Sequence, residues 1–264
     1  MTTVVQFTDA TFDSSLPTLA INDNDLKLAA VNSLTFWLDP LPAMRSANNF
    51  KDRIGGKLIK PASATGDYPV ASNINGGDAL SLSNAGVMPY IPESGAEFAL
   101  NQNEWTVAFV IKRDASDAAV STLTGKYGSA PVASDRILNI GFGSSGDNIR
   151  LYRGTTGNSG DVRLSSTGVS FLGQTRIVMI TFNTTTGLKL YIDGVLNVSN
   201  ATDKDALTSG IFQFLTNGTG TAGAAGSFSG LLGSFLAFSA DLSLAPRLQD
   251  KLIVENYFKT KYSI

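Results

Sequence analysis

The chain has 264 residues and a formal net charge of −2; 43% of its residues are hydrophobic, 16% are charged, and it has neither Cys nor His. That balance excludes global disorder, gives no electrostatic reason to expect nucleic acid or an anionic membrane as partner, and suits short strands joined by tight turns better than a helical bundle. Without Cys there are no disulfides or thiolate sites, and without His no Ser-His-Asp triad or imidazole ligand, so catalysis would need a carboxylate pair or a Lys or Tyr mechanism.

Residues 1–30 read differently from the rest. Thr3, Val5 and Phe7 can share one face of an extended strand, and Asp9 to Leu19 is rich in turn residues. A short helix is expected over Asp23 to Val31, capped by Asp23 or Asn24. This segment is either a leader strand completing the main sheet or an arm that docks on a neighbouring chain through Val5, Phe7 and Phe12. No basic stretch followed by an apolar core opens the chain, so no secretory signal is expected. No apolar run approaches the ~20 residues that cross a bilayer, so no membrane insertion is expected either.

Residues 31–264 read as one sandwich domain. Leu34 to Leu38 is an aromatic, apolar strand stopped by Asp39-Pro40. Brief strands follow at Lys57–Ile59 and Ala79–Leu82, then a near-continuous apolar strand, Trp105 to Ile111, which implies burial on both faces or on one face with a covering loop. Strands are expected over Arg136–Phe142, Asn148–Arg153 and Asp161–Leu164. Alternation places Ile149, Leu151, Val162 and Leu164 inward and Arg150, Tyr152 and Arg163 outward. Arg176–Phe182 and Leu188–Ile192 are again apolar. Asp193-Gly194 then sits between two β-prone runs, the pattern of a type I′ hairpin. Ser227 to Ser239 reads as a last pair of strands. From Leu244 the period turns helical through Leu248, Leu252, Ile253 and Tyr257, with Pro246 in the first turn.

Several of these segments together resemble the laminin-G-like branch of the concanavalin A-like lectin/glucanase superfamily. Phe36-Trp37-Leu38-Asp39 followed by Asp52-Arg53-Ile54-Gly55-Gly56 is similar to that branch's opening strand and turn, with Ile54 where a small residue is usual. Trp105-Thr106-Val107 resembles its first central strand and Leu190-Tyr191-Ile192-Asp193-Gly194 its signature hairpin. Phe228-Ser229-Gly230 and Asn256 to Tyr262 resemble its last strands and closing helix. The resemblance implies an all-β, two-sheet antiparallel jelly-roll sandwich with a short C-terminal helix, here preceded by an extended N-terminal arm.

The superfamily hosts lectins, glycosidases, adhesion modules and virion proteins, so function must come from residues. Retaining glycosidases of this kind carry Glu-x-Asp-x-x-Glu on one strand; the four glutamates here, Glu93, Glu97, Glu104 and Glu255, do not form it. Asp203 and Asp205 look like a solvated turn. Relatives hold Ca²⁺ through Asp, Asn and backbone oxygens. Asp39, Asp193 and Asp241 are the acids to consider, but no metal ligand set is assigned and no cofactor is expected. Carbohydrate needs exposed rings and hydrogen-bond forks, for which Arg150, Tyr152 and Arg163 are the candidates, with Arg153 and Tyr127 as further options. The alternative is an ordinary solvated face whose arginines pair with Asp161 or Asp147. Trp37 and Trp105 belong to the core. The expected role is a non-enzymatic structural or attachment protein on the surface of a bacteriophage particle, capsid-decorating or fibre-forming, assembled in the host cytoplasm. Its expected partners are other virion proteins through the arm, cell-surface polysaccharide, and other copies of itself, dimer and trimer being equally open. The alternative role is a free carbohydrate-binding module, with glycoside hydrolase disfavoured.

Overall fold

The structure, a computed structural model, describes residues 21–46, 49–56, 58–61, 70–82, 90–92, 100–115, 121–127, 136–143, 147–153, 161–207, 211–214 and 228–264. Val5, Phe7, Phe12, Glu93 and Glu97 lie outside them.

The described residues form two antiparallel sheets packed face to face. The first contains β1 (Leu34–Leu38), β5 (Val70–Ile74), β6 (Gly77–Leu82), β8 (Glu104–Arg113), β13 (Thr175–Asn183), β14 (Gly187–Ile192), β15 (Val195–Asn200) and β17 (Gly230–Phe238). Its order is β15-β14-β13-β8-β17-β6-β5, with β1 sharing the edge of β17 that β6 occupies lower down. The second contains β2 (Arg45–Ser46), β3 (Asn49–Lys51), β4 (Leu58–Pro61), β7 (Tyr90–Pro92), β9 (Ser121–Tyr127), β10 (Arg136–Phe142), β11 (Ile149–Arg153), β12 (Asp161–Ser165) and β16 (Ile211–Phe214). Its order is β12-β11-β10-β9-β16-β7-β4-β3-β2.

The continuous apolarity of β8 has a two-layer cause. Trp105, Val107, Phe109 and Ile111 fill the space between the sheets, where Phe109 stacks on Phe235 at 5.5 Å and Trp105 on Phe182 at 5.7 Å. Ala108 and Val110 face the other way, into a second apolar layer roofed by two helices, α1 (Asp23–Ala29) and α2 (Leu248–Tyr262). Trp37 and Trp105 are core residues, 2% and 0% exposed.

The hairpin at Asp193-Gly194 forms as expected, with φ of 53° and 86° at the two central residues. A second two-residue hairpin, Asn75-Gly76 (φ 49° and 92°), joins β5 to β6. The strand expected at Ala79–Leu82 is thus the second arm of a hairpin whose Asn-Gly pair is as strong a turn signal as Asp193-Gly194. The expected pair of strands between Ser227 and Ser239 is a single strand, β17. Gly233 within it makes no turn; a Cβ there would lie 2.7 Å from the ring of Tyr262, so the glycine admits the helix.

The helices also differ in detail. The cap of α1 is Asn22, whose side chain accepts from Asn24 and Asp25 while Asp25 reaches back to the Asn22 amide. Leu28 is fully buried, so α1 packs against the sandwich. In α2 the inward face is Val254, Tyr257, Phe258 and Tyr262, whereas Leu248 and Leu252, expected to face inward, are 48% and 49% exposed. A 3₁₀ turn at Ala245–Arg247, containing Pro246, precedes the helix, and the aromatic residues set its rotation.

The Asp52-Arg53-Ile54-Gly55 motif acquires a physical meaning. The Asp52 carboxylate accepts from the amides of Trp37, Ile54 and Gly55 and so fixes the turn against β1. Ile54 points to solvent at 41% exposure, which is why the turn accepts it. The Arg53 guanidinium lies 3.9 Å from the Trp37 ring and binds the fully buried Asp39 at 2.6 Å. Lys261 of α2 also donates to Asp39, alongside Ser234 and Tyr257. Burial, with the Asp39 charge beside it, pushes the Tyr257 phenol well above its ordinary range.

Candidate functional site

Strand β11 positions the main candidates. Ile149, Leu151 and Arg153 are buried, while Arg150 and Tyr152 are half-buried on the outer face of the second sheet, as alternation requires. On neighbouring β10, Leu138, Ile140 and Phe142 enter the core, which leaves Asn139 and Gly141 on the outer face. Asn139 lies opposite Tyr152, and Gly141 opposite Arg150. On the other flank, Val162 lies opposite Tyr152 and Ser165 opposite Arg150. The glycines of β10 and its end make a trough for Arg150. A Cβ on Gly143 would stand 2.1–2.3 Å from three guanidinium atoms of Arg150, so the group rests directly on that backbone. The outer face thus offers a planar donor fork and a phenol, both half-buried, in neighbouring cross-strand rows, while Asn139 is covered at 1% exposure.

Arg163 does not share that face. Leu151 pairs with Leu164 but Tyr152 with Val162, so Arg163 is the extra residue of a β-bulge. The bulge exposes Val162 to 45%, against the expectation that it is buried, and turns Arg163 so that its Nε lies 3.7 Å from Asp203. About a third of the Arg163 side chain stays exposed.

Arg153 is likewise corrected. Its guanidinium is buried, with Nη1 donating to Asp203 at 2.6 Å and Nη2 donating to the carbonyls of Asp205 and Ala206. It lies 4.9 Å from the Phe182 ring. Asp203 is 6% exposed, not part of a solvated turn. Burial pushes its carboxyl up from the ordinary value, against the pull of Arg153 and Arg163. The signal was present in the sequence: an arginine at an inward position of an alternating strand requires a buried partner. Nearby, Asn197 exchanges two hydrogen bonds with the Thr167 backbone, and Asn200 donates to the Arg163 carbonyl. These amides tie β15 to the chain around β12, where the two sheets meet edge to edge.

Tyr127 ends β9, its backbone paired with Arg136 and Ile211, and its side chain lies outside the described residues. Asp147, considered as a partner for outward arginines, instead binds the buried Arg113 at 3.2 Å and accepts from Ser170, Phe171 and Leu172. Burial alone would raise its carboxyl, but these hydrogen bonds outweigh it and hold the group below its ordinary value of 3.8. Asp193 binds Arg176 and the Ile177 amide, and Asp241 accepts from Ser243. Among the described residues no three acidic, His or Cys side chains gather as a metal site. No described helix is long and apolar enough to cross a membrane.

Two sheets sharing one core, with one outer face roofed by helices and the other carrying polar side chains, define a lectin-like β-sandwich. Residues 75–245, well over half of the chain, match a laminin-G-like family model, and the chain belongs to the concanavalin A-like lectin/glucanases superfamily. A search of curated protein sequences finds no match. Among solved structures, the botulinum neurotoxin serotype D ligand binding domain in complex with N-acetylneuraminic acid is similar at a TM-score of 0.61 and 16% identity, covering 87% of this chain and 52% of that one. Domain 4 of AbnA, a GH43 arabinanase from Geobacillus stearothermophilus in complex with arabinotriose, gives 0.58 and 17% identity, over 84% of this chain and 98% of that one. A Trypanosoma rangeli sialidase gives 0.51 and 13%, over 88% of this chain and 33% of that one. The chain spans about half the length of the neurotoxin chains it resembles. At these identities the likeness is one of fold.

Proposed function

We propose that the chain is a non-enzymatic attachment module that binds carbohydrate on the outer face of the second sheet, with Arg150 and Tyr152 as principal contacts. The observation that carries this reading is Arg150 seated on the Gly143 backbone, on the same face of β11 as Tyr152. A phenol ring takes the apolar face of a sugar, while the guanidinium fork takes its hydroxyls. Arg163, partly exposed at the bulge and turned toward Asp203, lies off this face, and Arg153 braces the 203–206 loop from within. The sialic acid and arabinotriose in the names of the neighbouring structures are consistent with this class of ligand. The non-enzymatic reading is supported by the two described glutamates, since Glu255 is paired with Lys251 on α2 and Glu104 stands on a different element, at the start of β8. A glycan array is the test. Binding that Arg150→Ala and Tyr152→Ala each reduce is expected, and no binding by the intact chain, or polysaccharide cleavage that survives purification, would refute the reading.

We further propose that this module works on the surface of a bacteriophage particle, as capsid decoration or fibre. The proposal is supported by the cysteine-free, Gly-rich composition and the resemblance of its motifs to laminin-G-like virion proteins. Docking would fall to the residues ahead of α1, including Val5, Phe7 and Phe12. Deleting residues 1–20 should abolish incorporation into particles while leaving the melting temperature unchanged; normal incorporation would favour the free binding module instead.

A further inference from the structure

The helical side of the molecule, opposite the Arg150 face, holds a cleft of about 300 Å³ between α1 and α2. Asn24 and Lys27 line it from α1, and Gln249, Ile253 and Asn256 from α2. The α2 residues fall on one stripe at i, i+4 and i+7, which at 1.5 Å per residue makes the wall ~10 Å long. Among the described residues, the side chains of Asn24, Lys27, Gln249 and Asn256 make no hydrogen bond or ion pair with one another or with the rest of the protein. Asn256 stands in the middle of a helix, where asparagine has no helix-forming advantage, so helix formation does not account for it.

The chemistry of this lining is selective. Each carboxamide sets a donor beside an acceptor, which matches a pair of neighbouring hydroxyls. Ile253 supplies an apolar patch for the C–H face of a ring. Lys27, the sole charged side chain in the lining, favours an anion. A volume at the lower limit of ligand sites fits one small ring, not a polymer groove. We infer that the cleft between α1 and α2 is a second ligand site, which takes an acidic monosaccharide with its carboxylate on Lys27 and its hydroxyls among Asn24, Gln249 and Asn256.

The test is a titration of the full, isotopically labelled chain with D-glucuronate, D-glucose and acetate, followed by amide and side-chain NMR shifts. Glucuronate should move the signals of Asn24, Gln249 and Asn256, and glucose should bind about tenfold more weakly, the factor set by losing one charge-assisted hydrogen bond. Lys27→Gln should bring glucuronate down to the glucose affinity, and Asn256→Ala should weaken both sugars. Both positions are exposed, so melting temperatures should not move. Arg150→Ala should leave the shifts of Asn24, Gln249 and Asn256 unchanged, so the two sites stand or fall separately. The assignment is overturned if glucuronate moves none of these signals, if acetate reproduces its effect, if glucose binds equally well, or if Lys27→Gln changes nothing.

Discussion

Arg150 and Arg153 lie three residues apart on one strand and are used in opposite ways. Arg150 turns outward, half-buried, and rests on a glycine backbone. Arg153 turns inward, stacks near Phe182 and spends its donors on Asp203 and two carbonyls. The period of two decides between them, since an odd separation along a strand must change face. Their energetic roles differ accordingly. Removing a partly exposed arginine costs little stability, while removing one member of a buried pair strands a charge.

The largest expected effect breaks the inward half of that contrast. Asp203→Ala leaves the Arg153 guanidinium buried without its carboxylate and should destabilise the fold by about 3–5 kcal/mol in chemical denaturation. Asp203→Leu combined with Arg153→Met removes both charges and should recover most of the loss. If the single substitution proved neutral, the pair would be exposed in solution and the contrast with Arg150 would collapse.

A middle-sized effect concerns acid stability, where two ion-paired carboxylates should behave with opposite sign. Asp147 is held below 3.8 in the folded chain, so its contribution is present above that value and is lost as pH falls through the lowered one. Asp203 is raised, so its contribution declines as pH climbs from 3.8 through the raised value. Asp147→Asn should therefore lower stability by about 1.5–3 kcal/mol at neutral pH, the range for hydrogen bonds to a charged group, and the deficit should shrink below 3.8. A deficit of constant size down to the acid transition would show that Asp147 acts by shape and not by charge.

Legibility in the sequence follows the same physical line. Strand alternation, the Asp193-Gly194 turn and the apolar run of β8 are local signals, and the fold they imply is the one found. Arg163 departs from simple alternation because a β-bulge adds a residue without leaving a local mark, so Val162 turns outward while Leu164 stays inward. The rotation of α2 was misread for a related reason. Leucines at helical spacing suggested one face, but Tyr257, Phe258 and Tyr262 reach the larger holes, and which hole exists depends on Gly77 and Gly233 on distant strands. Asp203 is hidden by separation alone, since it stands 50 positions along the chain from Arg153. Arg150 and Tyr152 were legible because nothing nonlocal intervenes between the strand period and their exposure.

The smallest effect on stability is the one that sharpens the outward half. Gly143→Ala places a methyl where the Arg150 guanidinium lies, yet the obstructed atoms are the far end of a flexible side chain. The arginine can swing away, so the melting curve should shift by less than about 1 kcal/mol. Glycan binding should fall nonetheless, because the donor fork has left its place beside Tyr152. Arg150→Ala should be equally mild in stability, within about 0.5 kcal/mol, and the double variant should bind no worse than Arg150→Ala alone. That non-additivity is the decisive reading. If the two substitutions added, Gly143 would act on the ligand directly, and the trough would be a contact surface instead of the seat that aims Arg150.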